Sequence, residues 1–218
     1  MHDERTGPRS RPPGTADSRL VEPSDLDGEP LPQLERWLDA ARRAGEPMPE
    51  AMTLATASSD GAPSARMVLL RGLDRGLVFF TDYDSDKGHD LEANPRAAAV
   101  LHWHLPVHRQ VRVTGPVATV SAEESDRYWH TRPPGARRSA VASLQSRVVP
   151  SRLALEERVA ELARLHPDDS ELPRPARWGG YRITPVAVEL WEEGPDRLHD
   201  RLRYRPAGEG WTIDRLSP

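Results

Sequence analysis

The sequence of 218 residues contains no cysteine, and this absence removes several kinds of function. Disulfide-linked scaffolds, thiol nucleophiles and thiolate metal sites all need cysteine sulfur. No apolar run approaches the roughly 18 residues of a membrane span, and the N-terminus lacks the apolar stretch of a signal peptide. The formal net charge is -4, with both signs spread along the chain, so no basic surface for general nucleic-acid binding is indicated. We therefore expect a cytoplasmic protein without membrane or nucleic-acid partners.

Several common site signatures are also missing. Neither G-x-G-x-x-G nor G-x-x-x-x-G-K-[ST] occurs, so the usual dinucleotide and nucleoside-triphosphate cradles are excluded, and no G-x-S-x-G elbow supports a serine hydrolase. His102 and His104 would share one face of a strand with His108 nearby, which could hold zinc. Solvated or structural histidines are commoner, and no H-x-E or C-x-x-C context supports the metal. We expect no metal site.

Residues 1–28 differ in composition from the rest of the chain. They are rich in Pro, Gly, Ser, Arg and Asp and poor in large apolar side chains, so burial cannot offset the entropy lost on ordering. We expect a disordered tail over 1–28 and one folded domain over 29–218. The first apolar positions of that domain recur at helical spacing, at Leu31, Leu34, Trp37, Leu38 and Ala41.

The remaining pattern is dominated by strands. Alternating apolar residues and turn signals predict strands at 52–58, 65–71, 76–81, 96–104, 109–121, 180–191, 197–205 and 211–216. Helices are expected from Ser85 to before Asn94, from Ser121, which forms a capping box with Glu124, and from Ser151. Many sequential hairpins must hide their edges, which favours a closed barrel. The expected fold is mainly β with accessory helices.

A charged string near the C-terminus carries the strongest functional signal. Arg197, Leu198, His199, Asp200, Arg201, Leu202 and Arg203 place three arginines, a histidine and an aspartate in seven residues. Such groups are costly to bury without partners, yet they follow a segment whose Val186, Val188, Leu190 and Trp191 are typical of a sheet core. A bound anion would resolve the conflict. An exposed hairpin linked by ion pairs is the alternative.

Other polar residues at predicted strand ends fit the same ligand chemistry. They are Arg66, Arg71, Lys87, Gln110, Arg132, Gln145, Ser146, Arg197 and Arg201. Guanidinium groups match phosphate oxygens, and amides can pair with the edge of a heteroaromatic ring. Tyr128 and Trp191 add flat aromatic faces. The set predicts a phosphorylated, planar cofactor.

Eight strings in the sequence resemble the pyridoxine/pyridoxamine 5'-phosphate oxidase family. They are Arg66-Met-Val-Leu-Leu-Arg71, Phe79-Phe80-Thr81, Ser85-Asp-Lys87-Gly88, Asn94-Pro95-Arg96, Arg109-Gln110-Val111, Gln145-Ser146, Trp178-Gly179-Gly180-Tyr181 and Arg197-Leu-His199-Asp-Arg201. The likeness extends from about Leu31 to Pro218. It implies a split β-barrel homodimer that binds flavin mononucleotide (FMN) at the subunit interface, with 178–218 as the dimerisation and active-site segment. It also implies oxidation of pyridoxine or pyridoxamine 5'-phosphate, with O2 reduced to H2O2.

The resemblance assigns roles residue by residue. Its flavin contacts fall on Arg66, Met67, Val68, Leu69, Phe80, Thr81, Lys87, Gln110, Gln145, Ser146, Trp191 and Arg201. Its substrate contacts fall on Arg71, Tyr128, Arg132, Ala136, Arg197 and His199. We expect Arg71, Tyr128 and Arg132 to hold the substrate phosphate. Arg197 and His199, the expected catalytic pair, would hold the pyridine ring over the flavin.

Three positions depart from the family pattern. Arg71 stands where lysine is usual, Ala136 where serine is usual, and Asp86 where arginine is usual. Two of these changes touch the expected substrate-phosphate site. They keep two alternatives open: an FMN-dependent oxidase of the phenazine-biosynthesis type that acts on another reduced ring, and a non-catalytic protein that binds flavin or pyridoxal phosphate.

Overall fold

The computed structural model describes residues 21–167 and 172–218. The α-helices within these ranges are α1 Pro30–Arg43, α2 Asp86–Ala93, α3 Ala122–Thr131, α4 Pro134–Ala142 and α5 Arg152–Leu165. The strands are β1 Ala51–Ala57, β2 Pro63–Leu69, β3 Gly72–Leu73, β4 Leu77–Asp82, β5 Arg96–Trp103, β6 Arg109–Thr119, β7 Trp178–Ile183, β8 Ala187–Glu192, β9 Asp200–Ala207 and β10 Gly210–Arg215. Short 3-10 turns lie at Pro23–Asp25 and Pro195–Arg197. The predicted fold class, mainly β with accessory helices, is confirmed.

The long strand β6 connects two parts of one antiparallel sheet. Its first half pairs with β5 and β8 within the order β10-β9-β8-β6-β5-β1-β2. Its last residues, Val117 to Thr119, pair instead with β7, which continues to β4 and β3. A Cβ added to Gly115, just before this change of partner, would overlap the carbonyl oxygen of Thr184. The glycine therefore permits the close approach at which the sheet curves.

Helix α1 packs on this sheet as its spacing predicts. Leu34, Trp37, Leu38 and Ala41 are all buried and belong to the same core cluster as residues of β1, β5 and β6. The apolar stripe recurs every three to four residues, so one face of the helix is removed from water. This burial anchors the N-terminal part of the domain to the barrel.

The residues before α1 contact the C-terminal hairpin. The hydroxyl of Tyr204 donates to the carbonyl oxygen of Asp27 at 2.7 Å, and Nη2 of Arg215 donates to the carbonyl oxygen of Val21 at 2.8 Å. The predicted tail ran through residue 28; its residues 1–20 lie outside the described part, whereas 21–28 make these contacts. Composition alone does not reveal hydrogen-bond partners that lie far away in the sequence, 177 positions for the partner on β9 and 194 for the partner on β10.

Two elements differ from the sequence-based prediction. The single strand predicted over 180–191 is two strands, because Pro185 cannot donate to a ladder and the chain turns there. Val186, expected in the core, is 40% exposed in this turn. Helix α4 was not predicted; Pro134 occupies its first turn, where a missing N–H costs nothing.

Helices α4 and α5 form an outlying layer. No residue of α5 is buried within the chain, and its half-buried Leu155 and Val159 face a groove against α4. Its predicted start is confirmed, since the hydroxyl of Ser151 accepts from the amide of Ala154 at 3.1 Å. Among helices of the described ranges, none has the length and apolar character needed to cross a bilayer.

Candidate active site

The main cavity, of about 710 Å³, lies between β2, β4, α3 and the loop after α4. Many predicted site residues meet in it. We call the following set the pocket cluster: Met67, Val68, Leu69, Arg71, Phe80, Thr81, Lys87, Tyr128, Arg132, Ala136 and Gln145. It unites most of the expected flavin contacts of the N-terminal part, though not Arg66 or Ser146, with the expected substrate-phosphate residues. Thr131, Pro133 and Trp178 also line the cavity and had been given no role.

Lys87 occupies the wall of this cavity as a cation among neutral oxygens. Its ammonium donates to Thr81 Oγ1 at 3.1 Å, to Ser85 Oγ at 3.0 Å and to Gln145 Oε1 at 3.0 Å. Within the described ranges, no carboxylate forms an ion pair with it. Burial lowers the pKa of Lys87, and the nearby charge of Arg66 lowers it further, against the smaller opposing effect of the Asp82 and Asp86 carboxylates. A bound anion would supply the missing counter-charge.

Arg66 lies beside this wall and is held by its own partners. Its Nη1 donates to Thr56 Oγ1 and its Nη2 to Ser64 Oγ, each at 2.6 Å. Asp90 Oδ2 lies 3.7 Å from Nη2 and accepts from the Thr56 hydroxyl at 2.5 Å. The guanidinium is thus only partly neutralised. It adds positive potential next to Lys87.

Ser146 and Asp86 meet at the start of α2. The amide of Asp86 donates to Ser146 Oγ at 3.2 Å, and Asp86 itself is exposed. Ser146 has a φ of 68°, an uncommon conformation for a residue with a side chain. Such strain persists only where surrounding contacts impose it. The loop after α4 is therefore held at α2 by specific bonds.

Three aromatic rings support the other side of the cavity. The rings of Phe80 and Tyr128 stack with centroids 4.0 Å apart, and Trp178 stacks on Phe80 at 5.6 Å. A Cβ on Gly180 would lie 2.8 Å from Phe80, so glycine at this position leaves room for the ring. The Trp178-Gly-Gly string thus shapes the pocket. Sequence reasoning recorded the string but missed this role.

Arg132 lies over this aromatic stack. Its guanidinium carbon is 4.5 Å from the centroid of Trp178, and Nη2 donates to the carbonyl oxygen of Ala136 at 3.0 Å. Burial lowers the pKa of Arg132, and the like charge of Arg71 adds to this effect. In the described part of the chain, neither arginine forms an ion pair with a carboxylate. Two adjacent uncompensated cations favour an anionic ligand.

The other predicted residues form a second group, which we call the C-terminal cluster: Gln110, Trp191, Arg197, His199 and Arg201. Gln110, Trp191 and Arg201 are cross-strand neighbours on β6, β8 and β9. The His199 ring lies 4.7 Å from that of Trp191, and its Nδ1 accepts from the amide of Gly194 at 3.2 Å. None of the five lines the main cavity within the described residues. One chain therefore presents two separate groups.

The sequence predicted a strand from Arg197, but the structure has a 3-10 turn at the start of the charged string. Asp196 and Arg197 both have positive φ, 52° and 64°, and Arg197 is exposed. Strand β9 begins only at Asp200. Arg201 is bonded to Glu189 Oε1 at 3.0 Å and to the carbonyl oxygen of Ser217 at 2.9 Å. The string is partly a salt-linked hairpin and partly a strained, exposed turn.

The three histidines considered for zinc lie close together at the β5–β6 connection. The ring of His104 is 4.6 Å from that of His102 and 5.0 Å from that of His108. His108 Nδ1 pairs with Glu193 at 3.0 Å. In residues 21–167 and 172–218, no group of three or more potential ligands is arranged to hold a metal ion.

Comparison with protein families covers both clusters. Residues 38–166 match the family described as pyridoxamine 5'-phosphate oxidase. Residues 178–218 match the pyridoxine 5'-phosphate oxidase C-terminal dimerisation region. The chain belongs to the pyridoxamine 5'-phosphate oxidase family. The first match contains every member of the pocket cluster, and the second contains Trp191, Arg197, His199 and Arg201.

Individual members of the family agree with this assignment. A pyridoxine/pyridoxamine 5'-phosphate oxidase from Cupriavidus pinatubonensis is 52% identical over 197 residues, which cover 89% of this chain and 92% of the relative. The crystal structure of PhzG from Burkholderia lata in complex with tetrahydrophenazine-1-carboxylic acid is 36% identical, with a TM-score of 0.86 over 94% of this chain and 100% of that one.

A more distant structure shows the shared fold. It is an FMN-binding protein from Nostoc punctiforme related to pyridoxamine 5'-phosphate oxidase, 19% identical, with a TM-score of 0.67 over 85% of this chain and 95% of that one. The split barrel implied by the sequence strings is thereby confirmed.

Proposed function

We propose that this member of the pyridoxamine 5'-phosphate oxidase family binds FMN and oxidises pyridoxine or pyridoxamine 5'-phosphate to pyridoxal 5'-phosphate, with O2 reduced to H2O2. One observation carries the proposal. The described part of the chain places two separate sets of cations at the pocket: Lys87, with the partly neutralised Arg66 beside it, and Arg71 with Arg132, and Lys87, Arg71 and Arg132 form no ion pair with a carboxylate there. A phosphorylated cofactor and a phosphorylated substrate together require two such anion sites.

The residues present fit FMN. Lys87 and Arg66 would neutralise its phosphate, and Gln145 would present its amide beside them. Bound FMN supplies a ring that accepts a hydride. The chain itself has to place the substrate against that ring at the correct distance, which requires no protein nucleophile.

The substrate half follows from the second pair of cations. Arg71, Tyr128 and Arg132 would hold the substrate phosphate, with Arg132 already oriented by the Trp178 ring and the Ala136 carbonyl oxygen. Arg197 and His199 would hold the pyridine ring. Since Nδ1 of His199 accepts from Gly194, its Nε2 remains available for the substrate.

A homodimer would bring the two clusters together. The C-terminal cluster lies in the region that matches the family's dimerisation segment. Large apolar side chains are exposed on the same chain, among them Met67 at 62% and Leu198 at 67%. In a two-fold dimer, the C-terminal cluster of one protomer would complete the pocket cluster of its partner.

An anaerobic spectral titration tests this function. The purified protein should be yellow, with about one FMN per chain. Pyridoxamine 5'-phosphate or pyridoxine 5'-phosphate added without oxygen should bleach the flavin, and admitting air should restore the colour with release of H2O2. A colourless protein that takes up no FMN, or a flavin that neither substrate bleaches, would contradict the proposal.

A second candidate is an oxidase of the phenazine-biosynthesis type. The observation that favours it is Ala136, which lines the pocket without the hydroxyl usual in the family, together with the similarity to PhzG. Bleaching by a reduced tricyclic carboxylate, but by neither vitamin B6 phosphate, would identify this activity. Bleaching by none of the three would indicate a binding protein.

A further inference from the structure

Arg177 forms an unusual contact with the end of helix α4. Its Nη2 lies within hydrogen-bond distance of three carbonyl oxygens: those of Ala140 at 3.1 Å, Val141 at 3.0 Å and Ser143 at 3.0 Å. The last carbonyl groups of a helix have no partner within the helix, and a cation there also complements the helix dipole. Arg177 therefore caps α4 from a segment more than 30 residues away in sequence.

The same guanidinium is fixed to strand β4. Its Nε lies 3.1 Å from Oδ2 of Asp82, whose side chain is only 2% exposed, and the two groups form an ion pair without hydrogen-bond geometry. The other carboxylate oxygen of Asp82 accepts from the amide of Asp84 at 2.9 Å. The backbone is tied as well, since the amide of Tyr83 donates to the carbonyl oxygen of Arg177 at 2.6 Å. A planar guanidinium can face carbonyl oxygens through Nη2 and a carboxylate through Nε at the same time, which an ammonium group on a flexible stem does less well.

The loop that follows α4 carries two of the predicted flavin contacts. Gln145 accepts from Lys87 and from Thr81, the neighbour of Asp82 on β4. Ser146 is held in its positive-φ conformation beside the start of α2. Helix α4 packs largely against α5, and α5 itself has no buried residue. Apolar packing therefore does little to fix the position of this loop relative to β4.

We propose that Arg177 is a positioning residue for the cofactor: it sets the end of α4 against β4, so that Gln145 reaches Lys87 and Thr81 in the geometry that FMN binding requires. This inference rests on the proposed FMN-binding function and assigns a role to a residue outside the cavity lining. It acts through Gln145, so its removal should weaken flavin binding more than substrate binding.

The test compares two conservative variants on neighbouring positions of one segment. Arg177→Lys keeps the charge beside Asp82 but loses the Nη2 group that reaches three carbonyl oxygens. Arg182→Lys, on β7, removes a fork bonded to Asp74 and Glu124, away from the flavin residues. FMN dissociation constants are measured by fluorescence quenching on flavin-free protein, alongside melting temperature and substrate KM.

Arg177→Lys should raise the FMN dissociation constant on the order of 10-fold, with KM changed by less than about 2-fold, whereas Arg182→Lys leaves FMN binding at the parent value. Gln145→Ala should weaken binding by itself. If Arg177 acts through Gln145, the double variant should bind FMN no more weakly than Gln145→Ala, because coupled positions are not additive.

Three results would overturn the inference while leaving the function intact. These are parent-level FMN binding in Arg177→Lys, an equal loss in Arg182→Lys that follows a lower melting temperature, and additive losses in the double variant. If Arg177→Lys does not fold, Arg177→Gln combined with Asp82→Asn removes both charges of the pair, and the same titration decides. A parent protein that binds no FMN would overturn the proposed function and this inference together.

Discussion

Lys87 of the pocket cluster contacts three neutral oxygens, whereas Arg201 of the C-terminal cluster is bonded to Glu189 and to the carbonyl oxygen of Ser217. The first group of residues encloses a cavity and leaves its cations without counter-charges. In the second, Gln110, Trp191 and Arg201 lie side by side on neighbouring strands, and Arg201 and His199 already have hydrogen-bond partners within the chain. Cations without a nearby carboxylate indicate where anions bind. Side chains that already have hydrogen-bond partners within the chain indicate a surface whose conformation is set before a partner binds.

This difference suggests a division of labour. The pocket cluster should govern affinity for the two phosphorylated ligands, since those are the charges it lacks. The C-terminal cluster should govern the placement of the reacting ring, since Arg197 and His199 are exposed or half-buried on a strained turn. Mutations in the two clusters are therefore expected to alter different measurable constants.

The largest effect is expected from Arg197→Met. Loss of the group that positions the substrate ring should lower kcat/KM on the order of 100-fold, while FMN remains bound. Steady-state kinetics and flavin content of the purified variant measure the two quantities. Turnover of pyridoxine 5'-phosphate at the parent rate, or flavin loss on purification, would contradict the proposed division of roles between the two clusters.

Lys87→Met should act on the cofactor instead. Removal of a charge-assisted phosphate contact costs about 1.5–3 kcal/mol, or roughly 10- to 150-fold in the FMN dissociation constant. Flavin titration measures it. Arg75→Met is the matched control, because Arg75 is 82% exposed and its substitution removes one positive charge from the surface. An equal loss in both variants would mean that net charge, and not the Lys87 contact, controls binding.

Mixing inactive chains tests whether the clusters cooperate across a dimer. Co-expression of Arg197→Met with Arg132→Met should restore about a quarter of parent activity, because half of randomly paired dimers are mixed and each mixed dimer has one intact site. Each variant expressed alone is the control. If both clusters served the same chain's site, co-expression would restore nothing.

Ala136→Ser should have a smaller effect in the opposite direction. A hydroxyl near Arg132 adds one hydrogen-bond donor for a phosphate, worth about 1 kcal/mol, so KM for pyridoxamine 5'-phosphate should fall about 5-fold. Ala136→Val is a size control without a donor. An unchanged KM for vitamin B6 phosphates, with a raised KM for a reduced tricyclic carboxylate, would favour the phenazine-type alternative.

The smallest effect concerns pH. In flavin-free protein the pKa of Lys87 is lowered by burial and by Arg66, and a bound phosphate should raise it again. Binding is then strongest below the lowered pKa, where Lys87 is already protonated, and weakens as pH rises through it. We expect the FMN dissociation constant to rise several-fold in the alkaline range. Lys87→Arg, which stays charged, is the control, and its FMN dissociation constant should not change with pH in this range. The same pH dependence in the parent and in Lys87→Arg would exclude Lys87 as the cause.

Local patterns predicted much of this structure. The apolar spacing of α1 and the serine before α5 are signals within a few residues, and both elements form as expected. The prediction missed α4, although Pro134 suits the first turn of a helix. It also failed at Pro185, which divides β7 from β8.

The sequence by itself determined the class of the fold, the family and the types of residue that could hold two phosphorylated ligands, because periodicity, turns and short strings are local properties. The tertiary structure alone decided the grouping. Only folding places Lys87 against Gln145, 58 positions further along the chain, leaves Arg201 in a different group, and sets Arg177 beneath the end of α4. Contacts between distant segments depend on how the barrel closes, and no local pattern encodes that geometry.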